Sequence, residues 1–533
     1  MPINKKYRPV ALVILDGWGI AEPTPYNGVK LAATPIMDRI EREYYSTTLQ
    51  ASGEIVGLEW GEMGNSEVGH MNMGAGFTVY QEVSRINNAI RDGSFFRNEA
   101  FRQAVEHVRK NNSALHIMGL VSSGKVHSYN EHLYSLIDFA KDKEVSQLYI
   151  HAWLDGRDTP PKSGLDFVAE LEEKLREAKI GQIDTVSGRF YAMDRDEHWD
   201  RIQRAYDAMV KGKGTHYPSA AAALQDSYQH NVFDENFVPA IINSPDRPYR
   251  PIQDNDAIIF FNYRPDRARE ICKAFLLPGF NKFSARGETE PRLQNVYFAA
   301  MNDYGVDLPL HIAFHPQKIE YPLARIISDR GLKQIHAAET EKFAHVTSFF
   351  DGGNTKPFPG EDFLLVHSRR DVTNYDQAPE MSAIPLTDQL IEKISANQYD
   401  FILVNFANPD MVAHTGNIEA TKIAINSVDA CLGRLLDAIL PLGGAVIVTA
   451  DHGNAELLRD PATGEIEKEH SANPIPFAIV AEGFERAQYA PPGVDFGFKP
   501  GTPVGVLTDI TPTALELMGI DPPAAMTGRS LIF

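Results

Sequence analysis

Short apolar runs rich in β-branched and aromatic residues recur along the chain at 9–15, 114–120, 147–153, 257–261, 296–299, 401–404 and 445–448. Between most of them, apolar residues return every three or four positions in longer, otherwise polar stretches. Runs this short, apolar on both faces, predict buried strands, and the intervening pattern predicts amphipathic helices packed over them. The rhythm specifies an α/β fold with mostly parallel sheets. Thr34-Pro35 predicts the start of a helix over 36–45, and Thr511-Pro512 that of a short helix which Gly519 closes. No internal repeat and no low-complexity tract interrupts the pattern.

A single α/β core of 533 residues would be exceptional. No linker rich in Pro, Gly or Ser divides the chain, and only 74–78 and 306–316 look loop-like. The distribution of chemistry divides it better. Acidic and histidine clusters lie before residue 80 and after 400, and arginine-bearing loops lie between. We therefore expect a discontinuous metal-binding domain, 1–80 with 314–533, and an inserted substrate-binding domain, 81–313.

Charge narrows the partners. Lys and Arg number 51 against 71 Asp and Glu, a formal net charge of −20 that disfavours nucleic acid and anionic lipid. An anionic small molecule would need a local basic pocket. Cys272 and Cys431 both sit in apolar, helical-looking stretches, which reads as two inert thiols in a reducing compartment. Residues 1–10 are polar and basic, Asp16 stops the following apolar run short of a signal sequence, and no run approaches the ~20 apolar residues of a membrane span. The expectation is a soluble cytoplasmic protein.

Three expected strands run into carboxylates or imidazoles: 13–15 into Asp16, 401–405 into Asp410 and His414, and 446–449 into Asp451 and His452. Ligands of open α/β sheets gather at such strand ends. Asp410 and His414 stand four apart and share a face if their loop is helical, and His470 could add a third ligand. Carboxylate and imidazole without thiolate suit Mn²⁺, Zn²⁺ or Mg²⁺. Ser66, between Gly64 and Gly69, can be presented on a sharp turn, and coordination to a metal held by Asp16, Asp451 and His452 would activate its weakly nucleophilic hydroxyl.

Between 114 and 270, four strand-like runs open into loops bearing His127 and Ser128, Arg157 and Asp158, Arg189 with Arg195, and Arg264 with Arg267. Arginine forks at one topological position suit a carboxylate or phosphate ligand, and Asp158 among them is a candidate proton carrier.

Ordered motifs along nearly the whole chain then point to one family. They are Leu15-Asp16-Gly17-Trp18-Gly19, Gly64-Asn65-Ser66-Glu67-Val68-Gly69-His70, Val126-His127-Ser128, Leu154-Asp155-Gly156-Arg157-Asp158, Phe261 to Arg267, Glu339-Thr340-Glu341-Lys342, Asn405 to Gly416 and Ala450-Asp451-His452-Gly453-Asn454. The chain resembles the cofactor-independent (2,3-bisphosphoglycerate-independent) phosphoglycerate mutases of the alkaline phosphatase superfamily. A plain superfamily phosphatase would share the Asp410/His414 and Asp451/His452 pairs but not the arginine loops.

The resemblance implies two divalent ions, usually manganese, one on Asp410, His414 and His470 and the other on Asp16, Ser66, Asp451 and His452. It implies a phosphoserine at Ser66 during interconversion of 3- and 2-phosphoglycerate, with no added 2,3-bisphosphoglycerate. His127, Arg157, Asp158, Arg189, Arg195, Arg264, Arg267 and Lys342 would hold the substrate, with Asp158 passing protons between the glycerate hydroxyls. Lys342 is counted with Ser66 and Asp158 as catalytic, and a monomer is expected. The inserted domain would act as a lid that keeps water from the phosphoserine. Two stretches depart from the family pattern: Ser123 and Lys125 before His127, and Glu465 to Glu469 before His470, with Ser471 after it.

Overall fold

The computed structural model describes residues 6–284, 293–305, 307–489, 496–501 and 503–533. The chain forms two compact units, 1–81 with 317–533 and 82–316.

The first unit is built on an eight-stranded sheet with spatial order Glu361–Val366, Gln334–Glu339, Phe401–Phe406, Val10–Leu15, Ala445–Thr449, Ile475–Val480, Tyr45–Gln50 and Gly505–Val506. The first five strands are parallel. Every residue of the central strand Val10–Leu15 is fully buried, which is why it reads as an unbroken apolar run. The parallel strands put the residues that follow their carboxyl ends on one edge: Asp16, Lys342, Asp410 and Asp451 all come from this edge.

The second unit carries another eight-stranded sheet, ordered His311–Phe314, Tyr297–Asn302, Ala257–Phe260, Leu115–Val121, Leu148–Leu154, Gln182–Gly188, Ala240–Ile242 and Thr215–Tyr217. Its four central strands, from Ala257–Phe260 to Gln182–Gly188, are mutually parallel, and each is followed by one of the loops bearing His127, Asp158, Arg189 or Arg264.

Several local expectations need correction. The helix Pro35–Glu43 has no side-chain cap from Thr34; the Asp429 carboxylate accepts from the Ile36 and Met37 amides at 3.0 and 2.9 Å. The last short helix, Ile510–Leu517, begins before Thr511, whose hydroxyl bonds the Met73 carbonyl instead of capping. The helix Ser66–Ala75 extends into the stretch read as loop from 74. Within 306–316, His311–Phe314 is an edge strand too short to show periodicity, and Val306 lies outside the described residues. Cys272 and Cys431 are free and buried. Among the described residues, no helix is long and apolar enough to cross a membrane.

Candidate active site

At the sheet edge of the first unit, Gly17 takes a left-handed φ of +72°, turning the chain immediately after Asp16 so that its amide donates to Asp451 Oδ1 at 3.2 Å. Ser66 opens its helix, capped by Asn65, whose side chain accepts from the Val68 amide at 2.9 Å. The helix passes so close that a Cβ on Gly69 would come within 2.7 Å of the Asp451 carbonyl oxygen. Ser66 therefore stands at the positive end of a helix pressed against the strand ends, a position that favours an anion.

Ser66 Oγ lies 2.9 Å from His452 Nε2 and 3.3 Å from Asp16 Oδ1. The Lys342 ammonium donates to Ser66 Oγ at 2.7 Å, Asp16 Oδ1 at 2.7 Å and Asp410 Oδ2 at 2.6 Å. The Asn408–Ala413 segment is helical, and His414 Nε2 reaches Asp410 Oδ1 at 3.2 Å. His470 Nε2 stands 3.3 Å from the same oxygen and 3.2 Å from His414 Nε2. Asp410, His452 and His470 form one group of convergent ligand atoms, and Asp16, Asp451 and His452 another.

These residues fit metal ions on grounds of charge. Asp16, Asp410 and Asp451 are buried with the Lys342 ammonium, and Asp451 Oδ2 has no hydrogen-bond partner. Three buried carboxylates against one ammonium leave negative charge uncompensated. Burial, then the neighbouring Asp451 charge, pushes the Asp16 carboxyl well above its ordinary range. Burial works in the same sense on Asp410, but Lys342, His414 and His470 hold it well below. The bond to Asp410 raises His414, and burial lowers His452 to about 4, keeping that imidazole neutral as a metal ligand must be.

In the second unit, Asp155 organises the loop ends. It accepts from Ser122 Oγ at 2.5 Å, from the Arg157 and Asp158 amides at 3.1 and 3.0 Å, and from Arg189 at 2.7 Å. The buried Arg189 also donates to Asp158 Oδ2 at 2.5 Å, and His127 Nε2 stands 4.0 Å from that oxygen. Asp266 gathers Arg195 at 3.2 Å and Arg264 at 3.0 Å, while Arg267 donates to the Met193 carbonyl at 3.1 Å. Arg157 is more exposed and faces Glu235 at 3.6 Å. Burial, then the nearby Arg195, Arg189 and Arg157 charges, lower the Arg267 pKa, as crowding of like charges does. Burial and Arg189 lower His127 to about 4.

Comparison with known proteins decides the family. The chain is 45% identical over 526 residues to a 2,3-bisphosphoglycerate-independent phosphoglycerate mutase of Clostridioides difficile, covering 98% of this chain and 99% of that protein. It belongs to that family. A family model described as BPG-independent PGAM N-terminus matches residues 86–306, and one for type I phosphodiesterase / nucleotide pyrophosphatase matches 340–473. The mutase of Chloroflexus aggregans is 46% identical over 543 residues, 98% of each chain. A solved Leishmania mexicana phosphoglycerate mutase, crystallised at low cobalt concentration, superimposes with a TM-score of 0.61 at 32% identity over 100% of this chain and 98% of that one. The resemblance to the cofactor-independent mutases carried by the motifs is thereby borne out, as is the α/β architecture with two domains. The chain is an isomerase that interconverts 3- and 2-phosphoglycerate, in a metal-dependent family that needs no 2,3-bisphosphoglycerate.

Four supporting residues escaped the sequence reading. Asn405 donates to Asp16 Oδ2 at 2.7 Å, and His70 stands 3.4 Å from Asp451 Oδ2. Glu456 accepts from the Gly19 and Asn454 amides at 3.0 and 2.9 Å, binding three ligand-bearing loops together with its contact to Ser471. Asp266 is the fourth. His70, Asn405 and Asp266 lie inside the recognised motifs, so their position was visible; Glu456 had no signal beyond its nearness to Asp451.

Proposed function

We propose that the mutase works through a phosphoserine on Ser66. Two divalent ions, of the manganese type, would be held by Asp410, His414 and His470 and by Asp16, Ser66, Asp451 and His452. When bound, they lower the pKa of the serine hydroxyl and neutralise charge on the phosphoryl group. The observation that carries the reading is the convergence on Ser66 Oγ of Lys342 at 2.7 Å, His452 at 2.9 Å and Asp16 at 3.3 Å.

Ser66 Oγ, its proton released to solvent before turnover, attacks the phosphorus of 3-phosphoglycerate, the bond from phosphorus to the C3 oxygen breaks, and that oxygen takes the proton held by Asp158. The C2 hydroxyl then attacks the phosphoserine, its proton passes to Asp158, and the Ser66 oxygen leaves as the oxyanion it began as. Lys342 stabilises the equatorial phosphoryl charge in both steps. Asp158 carries the proton between the two hydroxyls, and Arg189, bonded to it at 2.5 Å, fixes its orientation. His127, Arg157, Arg189, Arg195, Arg264 and Arg267 bind carboxylate and phosphate, so that glycerate is retained while Ser66 carries the phosphoryl group. A monomer, whose one chain carries every one of these groups, would suffice for the reaction. The two free thiols agree with a cytoplasmic setting.

Turnover of 3-phosphoglycerate in ¹⁸O-labelled water tests this. Unlabelled 2-phosphoglycerate with almost no free phosphate is expected, with activity lost on chelation and abolished in Ser66→Ala of unchanged metal content. Labelled phosphate as the main product would mean that water, not glycerate, accepts the phosphoryl group.

A further inference from the structure

Away from Ser66, the first unit buries a second concentration of ligating groups. His336 lies in the strand Gln334–Glu339, Asp351 follows the π-helical turn His345–Phe349, and Glu361 opens the neighbouring strand Glu361–Val366. Their relative exposures are 0, 1 and 6%. One ligand atom from each side chain lies within 4.8 Å of the others.

Hydrogen bonding orients the His336 ring. Gln334 is anchored by its side-chain amide nitrogen, which donates to the Ala324 carbonyl at 2.7 Å, so its Oε1 is the atom turned to His336 Nε2 at 3.2 Å. Nε2 therefore keeps its proton, and Nδ1 is the nitrogen whose proton a cation would displace. That nitrogen faces the Val346 carbonyl oxygen at 2.7 Å, Glu361 Oε1 at 3.2 Å and Asp351 Oδ1 at 3.9 Å. Neither Asp351 oxygen has a hydrogen-bond partner, nor has Glu361 Oε1. Asp351 Oδ1, Glu361 Oε1 and the Val346 carbonyl oxygen thus converge on the one Nδ1 position, more acceptors than a single N–H can serve, an arrangement that costs free energy unless further positive charge enters it.

Burial, aided by the Glu361 charge, pushes the Asp351 carboxyl up to about 9, and burial pushes Glu361 up to about 7. Protons could relieve part of this, but a proton is shared by two acceptors at most, whereas one ion satisfies all four residues. We propose that His336 Nδ1, Asp351, Glu361 and the Val346 carbonyl oxygen hold a structural divalent cation, distinct from the ions at Ser66. One imidazole and three oxygen donors suit Mn²⁺ or Zn²⁺. The ion ties both ends of the 336–351 segment to the next strand, and Lys342 stands within that segment. It is therefore a positioning site for the turn that presents the lysine.

Crystals of the full chain, soaked separately in MnCl₂ and ZnCl₂, test the assignment by anomalous scattering at each metal's edge. A peak between His336, Asp351 and Glu361 in either soak is the expected result. In solution, Asp351→Asn and Glu361→Gln should each bind one ion fewer per chain than the unmodified enzyme while keeping those at Asp410 and Asp451. No peak at the triad in both soaks, with peaks at Asp410 and Asp451 present, would overturn the proposal and assign the site to a shared proton. Equal metal content in both variants and the unmodified enzyme would do the same, and the anomalous maps decide the matter if the variants do not fold.

Discussion

At the scale of single residues, Lys342 does what a substrate or ion would otherwise do: it gives three buried acceptors a common positive partner. Burial disfavours its charge, but Asp16, Asp410 and Asp451 more than offset that, so the amine stays protonated at any working pH. Lys342→Met should lower kcat roughly 10²–10³-fold, the size of effect seen when one preorganised donor to a developing oxyanion is removed. Steady-state kinetics on protein of measured metal content checks this. His132 makes a different prediction. Burial and then Lys125 lower its pKa to about 3, and its Nδ1 has no hydrogen-bond partner. The folded state thus holds it neutral, and the stability this contributes is complete above pH 6.5 and lost as pH falls from there towards 3. At pH 5 the loss is about 2 kcal/mol, taking 1.36 kcal/mol per pH unit. Urea unfolding at pH 7 and pH 5 should show that much less pH dependence in His132→Gln than in the unmodified chain.

At the scale of elements, legibility followed whether the deciding contact was local. The Asp410/His414 pair could be read because four-residue spacing on a helix is a local fact. The strands at 10–15 and 445–449 could be read because burial on both faces leaves no polar alternation. The start of the helix Pro35–Glu43 could be read from Thr34-Pro35, but its cap could not, because it comes from Asp429, nearly 400 residues later on the helix Ile418–Ile439. Glu456 was hidden for the same reason: its role lies in a bond to a distant loop. The Asp429 carboxylate satisfies two amides that the helix leaves open, at a site sheltered from water. Asp429→Ala should cost about 1–3 kcal/mol in chemical unfolding. Its mutase kinetics at 25 °C should remain those of the unmodified enzyme.

At the scale of the whole molecule, the two units differ in how their chain is drawn. The second is one continuous stretch, 82–316, with its own eight-stranded sheet and buried core. Produced alone, that stretch should fold, giving a cooperative thermal transition and a dispersed amide spectrum; a molten fragment would count against it. The first unit is assembled from both ends of the chain. Its central strand pairs Val10 with Phe401 and with Ala445, so both neighbours are translated about 390 residues or more later. At 5–20 residues per second, the ribosome takes roughly 20–80 s to deliver the first of them. Throughout that interval Val10–Leu15, six apolar residues in a row, is a nascent strand without a partner, while the middle of the chain can already be folding. The newborn enzyme carries this apolar strand unpaired until 401–406 has been made, and sheltering it over that interval is work for a chaperone.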